Sequence, residues 1–203
     1  WFGYLNQRRA HTYYPPYLWR NEEKVTLEGN LGGKRSEYSH TLFTEFALDF
    51  IRRHKDEPFF LYLPYTIPHP KYEIPSTEPY TDKPWPDDAK VYAAMITLMD
   101  RDVGRIISLL KETGTDERTI VFFCSDNGAG NRMEGIFDSL GPLRGQKGEV
   151  YEGGIRTPMI VRWPGSVPSG IVSDAVWYFA DFLPTAAELA GVEPPPNIDG
   201  ISI

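Results

Sequence analysis

Apolar residues between positions 39 and 54 recur at helical spacing. Leu42, Phe43, Phe46, Ala47, Phe50 and Ile51 form one stripe, and Ser39 stands where an N-cap belongs. The pattern predicts a helix from Ser39 to about His54. Residues 58–64, PFFLYLP, break that period with a continuous apolar run, short enough for a buried strand. A proline-rich loop follows, from Pro64 to about Pro86. Val91, Met95, Leu98, Ile106 and Leu110 then mark the buried face of a longer helix. Asp87 or Asp88 would cap its start, and Gly114 would close it after Glu112. Gly104 inside it costs about 1 kcal/mol relative to Ala.

TIVFFCS (119–125) is the clearest strand pattern, and a glycine-rich loop separates it from PMIVRW (158–163). AVWYF (175–179) reads as a further strand, and Asp181 as the cap of a short helix ending at Gly191. Residues 1–35 show no strong periodicity and are expected to be irregular. Helices alternating with buried apolar strands imply an α/β fold with a mainly parallel sheet flanked by helices. No repeat or low-complexity segment appears. The chain opens without methionine on WFGYLNQ and stops on DGISI. We therefore read residues 1–203 as part of a single domain, truncated at both ends.

Composition narrows the function classes. The chain has 203 residues, 41% hydrophobic and 24% charged, which excludes a disordered polypeptide. A net charge of -7 argues against a general nucleic-acid partner. The single cysteine, Cys124, excludes an internal disulfide. No stretch is long and apolar enough for a membrane span. No signal peptide is visible, which carries no weight in a chain that starts as this one does.

Three segments hold candidate chemistry. In "CSDNGAG" (124–130), Asp126 and Asn127 follow the carboxyl end of the 119–125 strand, where open α/β sheets bind ligands. A carboxylate and an amide carbonyl are hard oxygen donors suited to Ca²⁺ or Mg²⁺, but D-N-G is equally a favourable turn. In "GPLRGQKGEVYEGGIRTP" (141–158), five glycines are mixed with Arg144, Lys147 and Arg156. Glycines let backbone approach an anion and fixed cations neutralise it; the alternative is a flexible surface loop with solvated charges. In "LPYTIPHPKYEIP" (63–75), His69 sits between prolines that restrict its backbone. It is a candidate proton donor or anion ligand, or else a surface histidine. Lys71 reads as solvated. His40 reads as structural, His54 suits a helix C-terminus, and His11 lies in a stretch that could line a pocket. The aromatics Tyr13, Tyr14, Tyr17 and Trp19 suit packing or stacking on sugar rings. No zinc-type pair, P-loop or nucleophile elbow is present, so no nucleophile is evident.

Taken in order, "PFFLYLPYTIPHP", "MITLMDRDVGRII", "TIVFFCSDNGAG", "LRGQKGEVYEGGIRTPMIVRWPG" and "ADFLPTAAELAG" resemble the type I sulfatases of the alkaline phosphatase superfamily. "GYLNQRRAHTYYPPYLWRN" is similar to the N-acetylgalactosamine-6-sulfatase-like branch. The resemblance implies an alkaline phosphatase-like α/β fold and calcium-dependent hydrolysis of sulfate monoesters of aryl alcohols or carbohydrates. It implies Asp126 and Asn127 as metal ligands, with Ca²⁺ preferred over Mg²⁺. Lys147 would hold the sulfate. His69 would bind sulfate and protonate the leaving alcohol. His11 and Arg144 are further substrate-contact candidates. The family's nucleophile is a formylglycine made within C-x-P-S-R or S-x-P-x-R, and neither motif occurs here. That modification is expected upstream, with the remaining metal ligands. Family habit implies export, to a periplasmic, extracellular or lysosomal compartment. A phosphodiesterase or phosphonate hydrolase of the same superfamily, and a non-catalytic binder of sulfated glycans, are the competing readings.

Overall fold

A computed structural model describes residues 1–203. The chain divides into two compact units, residues 1–167 and 168–203. The first 35 residues are not irregular, as the sequence suggested. β1 (Phe2–Gly3), β2 (Tyr17–Arg20) and β3 (Glu23–Thr26) form an antiparallel sheet in that order. A one-turn helix, α1 (Gln7–Ala10), lies between β1 and β2. Asn21 turns the β2–β3 hairpin at φ 52°, a state asparagine tolerates. Strands of two to four residues carry too few alternations to register as a period of two.

The two long helices form where the stripes placed them: α2 (Ser39–His54) and α3 (Asp87–Glu112). Gly114, at φ 70°, closes the second. The caps differ from expectation. Tyr38 precedes α2 in the cap position, and Pro86 precedes α3. Asp87 and Asp88 instead occupy the first turn, where carboxylates suit the helix dipole. Leu48 and Ile51 of α2 pack on Leu109 and Leu110 of α3. Burial of each such side chain contributes roughly 1.5–3 kcal/mol. A second cluster joins Tyr13, Tyr38, Ile67 and Met95.

A polar group pins the two helices together. Asp102 is fully buried on α3. Its Oδ2 accepts from His40 Nε2 at 3.1 Å and from Thr44 Oγ1 at 3.2 Å. Arg101 and Arg105 donate to Oδ1. Burial pushes the His40 pKa down to about 4, against the opposing pull of Asp102. The imidazole is therefore neutral, and its link to Asp102 is a hydrogen bond and not an ion pair.

Two strand expectations need correction. Residues 58–64 are not part of any ladder. Phe59 and Leu61 pack beneath α2 and α3, while Phe60 and Tyr62 are 70% and 76% exposed. Residues 175–179 are also not a strand, and Val176 there is 93% exposed. α5 (Phe179–Leu189) starts inside that segment. Asp181 is its third residue and not its cap: one carboxylate oxygen accepts the Tyr178 N–H at 3.1 Å, the other the Ile201 N–H at 2.9 Å.

β4 (Val121–Cys124) and β5 (Met159–Arg162) do form, and they pair antiparallel. Every ladder within the chain is thus antiparallel, and the parallel pairing expected of the sheet is not made between these strands. The 125–158 loop that joins them holds one helical turn, α4 (Glu152–Ile155). Arg162 forks onto Asp116 at 2.7 and 2.8 Å, fixing β5 against the turn that precedes β4.

Candidate functional site

The end of β4 delivers Asp126 and Asn127 into a loop that is sewn to the glycine-rich segment. Gly128 N–H donates to Gly154 O at 3.0 Å, and Lys147 N–H donates to Ala129 O at 2.8 Å. Within the glycine-rich segment, Gly153 N–H donates to Arg144 O at 2.7 Å. The 141–158 stretch therefore folds back on itself and onto the 126–130 loop. Its glycines serve a purpose the sequence did not reveal. A Cβ on Gly128 would lie 2.0 Å from Gly153 O, and one on Gly153 would lie 2.2 Å from Gly145 O. A Cβ on Gly154 would meet Glu149 O at 2.2 Å. These three positions need glycine for backbone-to-backbone contact, not for approach to an anion.

Asp126 is exposed, with Ser125 Oγ its one hydrogen-bond neighbour at 3.5 Å. Asn127 turns its Nδ2 to Gly128 O at 3.0 Å, which leaves Oδ1 as its oxygen donor. Two adjacent hard oxygens suit a calcium or magnesium ion. No group of three or more His, Cys, Asp or Glu forms around them. The pair fits one edge of a cation shell that needs about 6–8 oxygens for Ca²⁺. Lys147 is exposed, carried beside the same loop by its backbone bond to Ala129. Arg144 lays its guanidinium 3.7 Å from the centre of the Tyr151 ring, so its own loop holds it. Cys124 is half-buried, and burial together with Asp126 raises its thiol pKa, which disfavours a reactive thiolate.

His69 is positioned by residues far away in sequence. The Tyr13 hydroxyl donates to the carbonyls of Thr66 (3.0 Å) and His69 (2.6 Å). His69 Nδ1 bonds to Pro70 O. A carbonyl only accepts, so Nδ1 carries the proton and Nε2 is left for a further partner. The His11 ring stacks on His69, centroids 4.5 Å apart and planes at 26°. Separations of 56 and 58 residues gave no spacing signal for either contact. Tyr13 is fully buried, and Tyr14 and Tyr17 are partly buried and carry cations over their rings, so these tyrosines take part in packing.

The candidates thus fall into two groups: the backbone-joined loops of Asp126, Asn127 and Lys147, and the stacked pair His69 and His11. No hydrogen bond or ion pair joins the groups directly. An aromatic relay runs between their loops: Tyr72 to Tyr92 on α3 (5.5 Å), Tyr92 to Phe137 (6.0 Å) and Phe137 to Trp85 (5.1 Å). A concavity between α2 and α3, lined by Arg52, Gly104 and Arg105, includes none of the candidate residues.

A sequence profile of the Sulfatase family matches residues 1–192. This chain belongs to the sulfatase family. It is 33% identical to N-acetylgalactosamine-6-sulfatase of Canis lupus familiaris over 218 residues, covering all of this chain and 40% of that protein. It is 37% identical to mouse steryl-sulfatase over 168 residues, covering 78% of this chain and 26% of that one. Among solved structures, Ps i-CgsB in complex with k-i-k-neocarrahexaose superposes with a TM-score of 0.79 at 31% identity, covering 91% of this chain and 40% of that one. PsFucS1 sulfatase from Pseudoalteromonas sp. gives 0.68 at 25% identity, over 93% and 38%. The α/β fold is therefore that of the sulfatases. The chain spans well under half the length of these relatives. No helix is long and apolar enough to cross a membrane.

Proposed function

We propose that the protein to which this chain belongs hydrolyses sulfate monoesters, and that the sewn pair of loops supplies half of its active site. The observation that carries the reading is the backbone joining of the Asp126–Asn127 loop to the Lys147 loop. It sets the loop of two hard oxygen donors beside the loop of a lysine, which supports a site for an anionic ester. Asp126 and Asn127 would hold Ca²⁺ in preference to Mg²⁺, and the ion, when bound, neutralises charge on the sulfuryl oxygens. Lys147 would bind those oxygens. His69, its Nδ1–H held by Pro70 O, would in its imidazolium form give the Nε2 proton to the departing alcohol oxygen and be left neutral. His11 and Arg144 would contact the remainder of the substrate. The formylglycine and further metal ligands would come from outside these residues, within one catalytic domain that includes both compact units. Export of the whole protein fits the reading.

The test is Lys147→Ala in the full-length protein. Turnover of 4-nitrophenyl sulfate should fall by about 10²–10³-fold, the scale of losing one transition-state donor. Stability should move by no more than about 0.5 kcal/mol, because the side chain is exposed. Unchanged turnover would remove Lys147 from the site. Activity on bis(4-nitrophenyl) phosphate and none on sulfate would favour the phosphodiesterase reading, and inactivity on both the non-catalytic one.

A further inference from the structure

The cations on and around α1 form a group that the sulfate-hydrolysing residues do not use. Residues 1–35 hold six Lys and Arg against three Glu, in a chain whose net charge is -7. The Arg9 guanidinium lies 4.2 Å from the centre of the Tyr17 ring, and Lys24 Nζ lies 4.0 Å from the same centre. The sheet register makes this possible. Lys24 pairs with Trp19 across the β2–β3 hairpin, so Tyr17 is its diagonal neighbour on the same face. Arg8 is exposed on the same helical turn. Arg8, Arg9 and Lys24 make no ion pair with any carboxylate; the acidic residues that do pair bind other cations. Two like charges gathered on one ring without a counter-charge repel each other, and an anion beside them relieves the repulsion.

The placement gives this group a role. His11 follows α1 directly, two residues after Arg9, and its ring is the one stacked on His69. The same short segment thus carries one imidazole of the stacked pair together with Arg8 and Arg9. We propose that Arg9 and Lys24, with Arg8, form a second anion subsite next to the reacting group. It would take a sulfate or carboxylate elsewhere on the same substrate, so the preferred substrate class is an acidic glycan bearing more than one negative group. This rests on the sulfate-ester reading above. Arg9 and Lys24 are specificity residues in it and do not touch the reacting sulfate.

The experiment compares three substrates in the full-length protein: 4-nitrophenyl sulfate, a monosulfated neutral disaccharide, and the same disaccharide carrying a second sulfate. The double variant Arg9→Gln, Lys24→Gln should raise KM for the disulfated sugar by about fivefold or more, from the loss of two partly exposed charge contacts. Turnover and KM for the other two substrates should stay the same. Added salt should narrow the difference between wild type and variant. Arg9→Lys, which keeps the charge, should behave as wild type, and Lys24→Gln alone, at an exposed position, should raise KM for the disulfated sugar only and serves as the test if the double variant folds poorly. Equal KM shifts on all three substrates, or none on any, overturn the subsite while leaving the sulfate-ester reading intact. Absence of turnover on every sulfate ester by the wild-type protein overturns both.

Discussion

Gly128→Ala is the sharpest perturbation of the candidate site, because its consequence can be worked from one contact. The added Cβ would sit 2.0 Å from Gly153 O, whereas ordinary contact begins at 3.4 Å. The opposing atom is backbone, so no side chain can swing aside. The two loops must part by about 1.4 Å. That breaks the Gly128–Gly154 hydrogen bond and strains the Lys147–Ala129 bond one residue on. At about 0.5–1.5 kcal/mol each, the pair contributes about 1–3 kcal/mol. The helix clusters lie elsewhere in the chain, so the fold should survive. The separation moves Asp126 and Asn127 away from Lys147, and a misplacement near 1 Å costs about 10²-fold in rate. The assay is kcat/KM on 4-nitrophenyl sulfate with the full-length protein, alongside a thermal melt. The control is Gly130→Ala, two residues on, where a Cβ meets nothing within 4 Å. We expect about a hundredfold loss for the first variant and near-wild-type kinetics for the second. Equal kinetics in the two variants would show that the sewn loops do not set the site.

Three further outcomes follow from other contacts. His69→Ala should lose more rate on sugar sulfates than on nitrophenyl sulfate, since only the poorer leaving group needs a proton; equal losses would exclude the general-acid role. Calcium should raise the melting temperature of the full-length protein and Asp126→Ala should abolish that rise; a rise retained in the variant would remove Asp126 as a ligand. His40, neutral and buried with a pKa of about 4, takes up its proton more readily when unfolded. Its contribution is therefore complete above the unfolded value of 6.5 and is lost as pH falls from there toward 4, about 3 kcal/mol in all. The Asp102 carboxylate and the Arg101 and Arg105 guanidiniums face the same group. Urea denaturation of wild type and His40→Gln between pH 7 and 4.5 checks this; parallel pH profiles would refute it.

The sequence alone determined the parts governed by local periodicity and by contiguous motifs. The α2 and α3 stripes repeat over four to seven turns, so their boundaries could be read to within a residue or two. The order of the P-H-P, D-N-G and glycine-rich segments was enough to indicate the family. Tertiary structure decided the rest, because the deciding contacts join residues with no sequence relation. A two-residue strand carries no period, so the N-terminal sheet was invisible until β1 met β2. An apolar run such as 58–64 states that a segment is buried on one face, but a ladder also needs a neighbour's free backbone edge. Gly153 and Gly154 looked like part of an anion cradle and Gly128 like part of a turn; only the folded loops show their backbones in contact. His11 and His69, 58 residues apart, become one stacked pair because Tyr13 ties the His69 segment to the segment that carries His11. Residue types and their order set the available chemistry, and long-range packing set which of them share a site.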